Sequence, residues 1–148
     1  MDHLPDHLPY DAAPHPPPDG RRHRPLVAAK AAAGFPSPAT DHVERRLDLH
    51  EYLVLHPEAT FFMRVRGNSM TGAGIHDGDL LIVDRSLEAV PGRVVVAAID
   101  GELTVKRLQR SRGRIVLKSE NPACPDISVS DTQDLQIWGV VAYVVHAP

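Results

Sequence analysis

A chain of 148 residues, 43% of them hydrophobic, can build one ordinary globular core but not two large domains with linkers. Its net charge of −3 and pI near 6.3 argue against a protein whose main work is gripping phosphate backbones, so a protein partner is expected rather than direct sequence-specific DNA binding. The longest apolar stretch, Trp138 to Val145, falls far short of the roughly 18–20 residues that cross a bilayer, and the N-terminus carries no basic-then-apolar signal pattern; a soluble, cytoplasmic protein with no membrane partner is expected.

Residues 1–33 hold seven of the fourteen prolines and four of the nine histidines (His3, His7, His15, His23) among scattered charges. Such a composition cannot bury a core and reads as a flexible, solvated tail. The histidine spacing matches no paired-ligand pattern, and no metal or cofactor is expected. From Val27 to Ala33 the residues become small and apolar. Gly34-Phe35-Pro36-Ser37-Pro38 then forbids a continued helix, leaving an accessible, extendable junction.

Residues 34–148 read as one compact, mainly antiparallel β domain with one or two short helices. Asp48 and Glu51 stand in capping-box spacing, and Pro57 closes the pattern, which places a helix near 49–55. Strands are expected at Phe61–Arg66, Leu80–Asp84, Arg93–Ile99, Glu102–Gln109, Arg114–Ser119 and Leu135–His146, each rich in β-branched residues and bounded by Gly, Pro, Asp or Asn. Asp100-Gly101 is a two-residue hairpin signal. Trp138, Phe61 and Phe62 read as core, and the single cysteine, Cys124, between Pro122 and Pro125, as a loop residue.

Candidate chemistry centres on Gly67-Asn68-Ser69-Met70. Directly after a strand, this turn leaves the Ser69 hydroxyl free and offers the backbone N–H groups of Asn68, Ser69 and Met70 as an oxyanion hole. By itself such a segment is usually only a turn. The base candidate is Lys106, because strand alternation puts Thr104, Lys106 and Leu108 on one face, with Lys106 inward and Arg107 away. A lysine at its ordinary pKa of about 10.4 is neutral only about four times in ten thousand at pH 7. Moving it to about 7 takes roughly 4–5 kcal/mol of differential solvation, which an apolar core supplies. The competing reading is a lysine that snorkels outward to Asp100 or Glu102. A Ser69-His76-Asp triad is conceivable, but His76-Asp77-Gly78-Asp79 reads as a polar turn entering a buried strand, and it lacks the longer loop and terminal Glu of a calcium site.

Taken together, Gly67-Asn68-Ser69-Met70, Gly74-Ile75-His76-Asp77-Gly78-Asp79-Leu80-Leu81-Ile82-Val83-Asp84 and Gly101-Glu102-Leu103-Thr104-Val105-Lys106-Arg107-Leu108 resemble the catalytic core of the LexA/UmuD superfamily of self-cleaving serine-lysine peptidases. The resemblance runs over residues 34–146. It extends, for the UmuD branch, to Gly34-Phe35-Pro36-Ser37-Pro38-Ala39 and Val43-Glu44-Arg45-Arg46-Leu47-Asp48-Leu49. It implies Ser69 as nucleophile, Lys106 as base, and cleavage between Ala33 and Gly34, which releases residues 1–33. The Ala33 position is LexA-like, whereas the short, charge-balanced tail has no helix-turn-helix character, which favours the UmuD branch. The resemblance further implies a RecA–single-stranded DNA filament as coprotease, a homodimer, and a UmuC-type Y-family polymerase that the processed form joins for error-prone translesion synthesis. A different class of function is a non-catalytic β-domain interaction module for a polymerase or transcription partner; a signal-peptidase-like enzyme would need a membrane anchor.

Overall fold

The computed structural model describes residues 22–27, 31, 33 and 43–148. Two compact units divide the chain, one within residues 7–55 and the other containing residues 56–148.

In the smaller unit, β1 (His23–Val27) pairs antiparallel with β2 (Val43–Asp48), His23 facing Asp48 and Arg24 facing Leu47. This strand lies within the stretch whose composition reads as solvated tail. Its pairing partner is some twenty residues away, and a two-stranded ribbon tolerates Pro25 because a strand edge leaves N–H positions unused. Helix α1 (Leu49–Leu53) starts where expected: the Asp48 carboxylate accepts the N–H groups of His50 and Glu51 at 3.0 and 3.3 Å. It ends two residues before the expected boundary, the Val54 N–H closing on the His50 carbonyl.

The larger unit is one seven-stranded antiparallel sheet in the order β3-β4-β9-β5-β6-β7-β8. Its strands are β3 (Thr60–Arg64), β4 (Leu80–Asp84), β5 (Val94–Ile99), β6 (Glu102–Ser111), β7 (Arg114–Lys118), β8 (Ile127–Ser128) and β9 (Leu135–Val145). The two-residue β8 is too short to carry a period and was not expected from the sequence. The unbroken apolar runs of β4 and β5 have their cause in burial on both faces. Val96 packs into a cluster with Phe61, Met70, Ile75, Leu81 and Val83. Val95, Ala97 and Ile99 pack into a second with Leu108, Leu117 and Val140.

The long β9 serves two neighbours, β4 through its second half and β5 through its first. A register shift in each pairing makes this possible. Gly139 sits at the crossover, where a Cβ would meet Val83 Cγ1 at 2.6 Å and the Asp84 carbonyl oxygen at 3.2 Å. Phe61 and Trp138 meet edge to face with centroids 6.4 Å apart. Phe62, by contrast, is 40% exposed, because period two turns it away from the side that Phe61 fills. The β5–β6 hairpin forms through Asp100 and Gly101, both at positive φ (48° and 84°), the geometry that Asp-Gly favours.

Candidate active site

Ser69 lies on the loop that follows β3, and three hydrogen bonds fix that loop to the segment after β7. The Glu120 N–H donates to the Ser69 carbonyl (2.8 Å), the Gly72 N–H to the Glu120 carbonyl (2.7 Å), and the Asn121 side-chain amide to the Asn68 carbonyl (2.8 Å). Gly72 has no room for a side chain, since a Cβ would stand 2.5 Å from the Glu120 carbonyl oxygen. From the other side, the Gly67 N–H donates to the Asp77 carboxylate at 2.7 Å. Met70, 2% exposed, anchors the loop in the first hydrophobic cluster. The serine is thus held through its backbone, which leaves its hydroxyl free for a side-chain partner.

Lys106 sits in mid-β6, paired with Val95. Only 7% of it is exposed, and its Nζ donates to Ser69 Oγ at 2.8 Å and to its own neighbour's carbonyl, that of Val105, at 3.3 Å. The snorkelling alternative does not hold: with Lys106 buried, its amine turns to Ser69 and the Val105 carbonyl and pairs with neither Asp100 nor Glu102. Burial lowers the lysine's pKa below its ordinary value, opposed by the electrostatic pull of Cys124 and Asp126 nearby. Arg107, the next residue, turns to Glu120 and to the Gly92 carbonyl, as strand alternation requires. Arg107 therefore grips the same residue whose backbone holds Ser69.

The serine and lysine open onto a cleft of about 730 Å³ whose walls are Met63–Met70 and Leu103–Lys106. Both walls have free backbone edges among the described residues. Strand β3 ends the sheet, and β6 pairs with β7 only from Arg107 onward. Two open strand edges facing one cleft suit an extended peptide, which adds main-chain hydrogen bonds to an edge. Among the described residues no acceptor takes up the N–H groups of Asn68, Ser69 or Met70, so they are available to an oxyanion.

Other expected participants stand elsewhere. His76 does not form a triad with Ser69; its ring lies against His146 with centroids 4.6 Å apart, beside Asp79. Cys124 is a free thiol, its Sγ 3.8 Å from the Asn68 side-chain oxygen, a proximity that 56 residues of separation conceal in the sequence. Glu120 and Asn121 went unnoticed for the same reason, having no motif of their own. Ala33 is exposed at a bend, and Gly34, with the bond that joins them, lies outside the described residues. Among the described residues no helix is long and apolar enough to cross a membrane.

Comparison with known proteins finds relatives over most of the chain. A family model described as Peptidase S24-like matches residues 25–142. The chain is 47% identical over 122 residues to protein SamA of Salmonella typhimurium, covering 82% of this chain and 84% of that protein. It is 48% identical over 120 residues to protein MucA of Escherichia coli, covering 80% and 82%. To the LexA repressor of Bordetella parapertussis it is 44% identical over 122 residues, covering 82% of this chain but 56% of the repressor.

Proposed function

Because the chain belongs to the S24 family of serine peptidases, in the UmuD-like branch of the LexA/UmuD superfamily, we propose that it is an SOS mutagenesis protein that cuts its own Ala33–Gly34 bond with Ser69 and Lys106. The observation that carries this reading is the 2.8 Å approach of a buried lysine amine to a serine hydroxyl. The line along which the ammonium donates to Oγ is also the line along which a neutral amine's lone pair receives the hydroxyl proton.

In the proposed reaction, neutral Lys106 takes the Ser69 proton as Oγ attacks the Ala33 carbonyl carbon, and the backbone N–H groups of Asn68, Ser69 and Met70 receive the oxyanion. The resulting ammonium of Lys106 returns its proton to the Gly34 nitrogen, which leaves as a new N-terminus. Water, deprotonated by the same amine, then releases the Ala33 ester and restores Ser69.

The products are residues 1–33 and a β domain of residues 34–148. By the family resemblance, the processed form is a homodimer, in the cytoplasm, that joins a UmuC-type Y-family polymerase. Cleavage is held back until RecA filaments on single-stranded DNA favour the docked, neutral-lysine state. The test is incubation of the full chain with RecA, single-stranded DNA and ATP. A fragment whose first residue is Gly34, absent from Ser69→Ala and Lys106→Ala, is the expected product. An intact wild-type chain under those conditions would overturn the reading in favour of a non-catalytic interaction module.

A further inference from the structure

The turn at 76–79 brings a buried carboxylate and two imidazoles to one point. Asp79, 4% exposed, accepts the His76 backbone N–H on Oδ2 at 2.7 Å and faces His146 Nδ1 across 2.6 Å with Oδ1. His76 Nδ1 is 3.7 Å from Oδ2. One donor atom from each of the three residues falls within 4.8 Å of the other two, and the two rings lie against each other, centroids 4.6 Å apart and tilted by 34°.

Each imidazole is a good neutral ligand, and together with one carboxylate the two form a borderline N,N,O donor set that suits zinc-class ions rather than calcium or magnesium. A tetrahedral site with bonds of about 2.1 Å sets its donor atoms about 3.4 Å apart. The 3.7 Å separation of His76 Nδ1 from Asp79 Oδ2 is close to that, and His146 Nδ1, 2.6 Å from Oδ1, would move outward by roughly 0.8 Å to admit a metal. Both rings are nearly half exposed, which gives an ion access and leaves a fourth position to water.

The backbone already holds the donors in place. Asp79 is fixed by its N–H to the His76 carbonyl (3.0 Å) and by its own carbonyl, which accepts the Val65 N–H (2.9 Å). His146 follows directly from the Leu80–Val145 pair of β4 and β9. The other such grouping, His23, Asp48 and Glu51, offers one imidazole, and its Asp48 is spent on Arg22 and on the α1 cap.

We propose that His76, Asp79 and His146 form a zinc-class metal site that clips the end of β9 to the start of β4. The test uses the full-length chain in a Ser69→Ala background, stripped of metal and titrated with Zn²⁺ while the histidine ring signals are followed by NMR. The expected result is a saturable shift of the His76 and His146 signals, unaffected by Mg²⁺, and at least a tenfold loss of that affinity in His76→Ala and in His146→Ala. Both rings are exposed, so both variants should fold. Signals that stay in place on adding Zn²⁺, or variants that bind it at this point as tightly as their parent, would overturn the proposal. Following ring signals separates this site from the tail histidines.

Discussion

A lysine in the middle of a β strand is ordinarily an ammonium that reaches for water, and the position of Lys106 reverses that preference at a cost. Burial lowers its pKa, so below that folded value the chain carries the burden of a desolvated charge. The burden lifts as pH rises from the folded pKa towards the unfolded value of 10.5, because in that window the unfolded chain binds the proton and the folded chain does not. Lys106→Met should therefore be inactive in self-cleavage yet more stable than the parent at pH 7, with Tm raised by a few degrees if the gain is about 1 kcal/mol. Calorimetry of the Ser69→Ala parent against the double variant measures it, and a lowered Tm would mean that the amine contributes more through its hydrogen bonds than it costs. Removing either Ser69 or Lys106 should slow cleavage by about 10³-fold or more, which puts the fragment below detection over the time the parent takes to cleave, with no additive loss in the double variant, since the two act as one unit.

At the scale of elements, the serine loop is held by a strap rather than by a strand. Gly72 and Ser69 both bond to the backbone of Glu120, and Arg107 pairs with the Glu120 side chain. Gly72→Ala should push the strap away and slow cleavage about 10- to 100-fold with a smaller effect on global unfolding, whereas Gly139→Ala, which forces a methyl against Val83 and Asp84 in the sheet centre, should cost about 1–3 kcal/mol in urea unfolding. The contrast separates a gating contact from a structural one. The pairing of Ser69 with Lys106 was legible through the family resemblance of the segments around 67–70, 74–84 and 101–108; the turn after β3 and the alternation along β6 are each too common to single it out. The strap was not, since Glu120 and Asn121 lie over fifty residues from the loop they hold and sit in no periodic pattern. Likewise β4, β5 and the Asp100-Gly101 hairpin announced themselves through apolar runs and turn chemistry, while β1 did not: its residues are paired by a distant strand, and proline-rich composition predicts the opposite.

At the scale of the whole molecule, the buried carboxylates set the response to acid. Burial by itself would raise the pKa of Asp84, but hydrogen bonds from Ser86 and His56 outweigh it and hold the carboxyl below 3.8. Asp79 is lowered in the same way, burial being outweighed mainly by His146 and the His76 backbone N–H. A carboxylate with a depressed folded pKa stabilises the fold above its unfolded value, and that stabilisation is lost as pH falls through the folded one. Thermal stability should accordingly drop on acidification below about pH 4, and Asp84→Asn should flatten that drop while lowering Tm at neutral pH; a parent-like acid limb in the variant would contradict the assignment.

The central claim, that a neutral Lys106 activates Ser69 against the chain's own Ala33–Gly34 bond, is tested most directly by the intact mass of the purified full-length protein over time between pH 7 and pH 10. The account predicts a fragment beginning at Gly34 that appears faster as pH rises and the lysine loses its proton, and that never appears in Ser69→Ala or Lys106→Ala. A fragment that persists in either variant, or a rate that falls with rising pH, would contradict it.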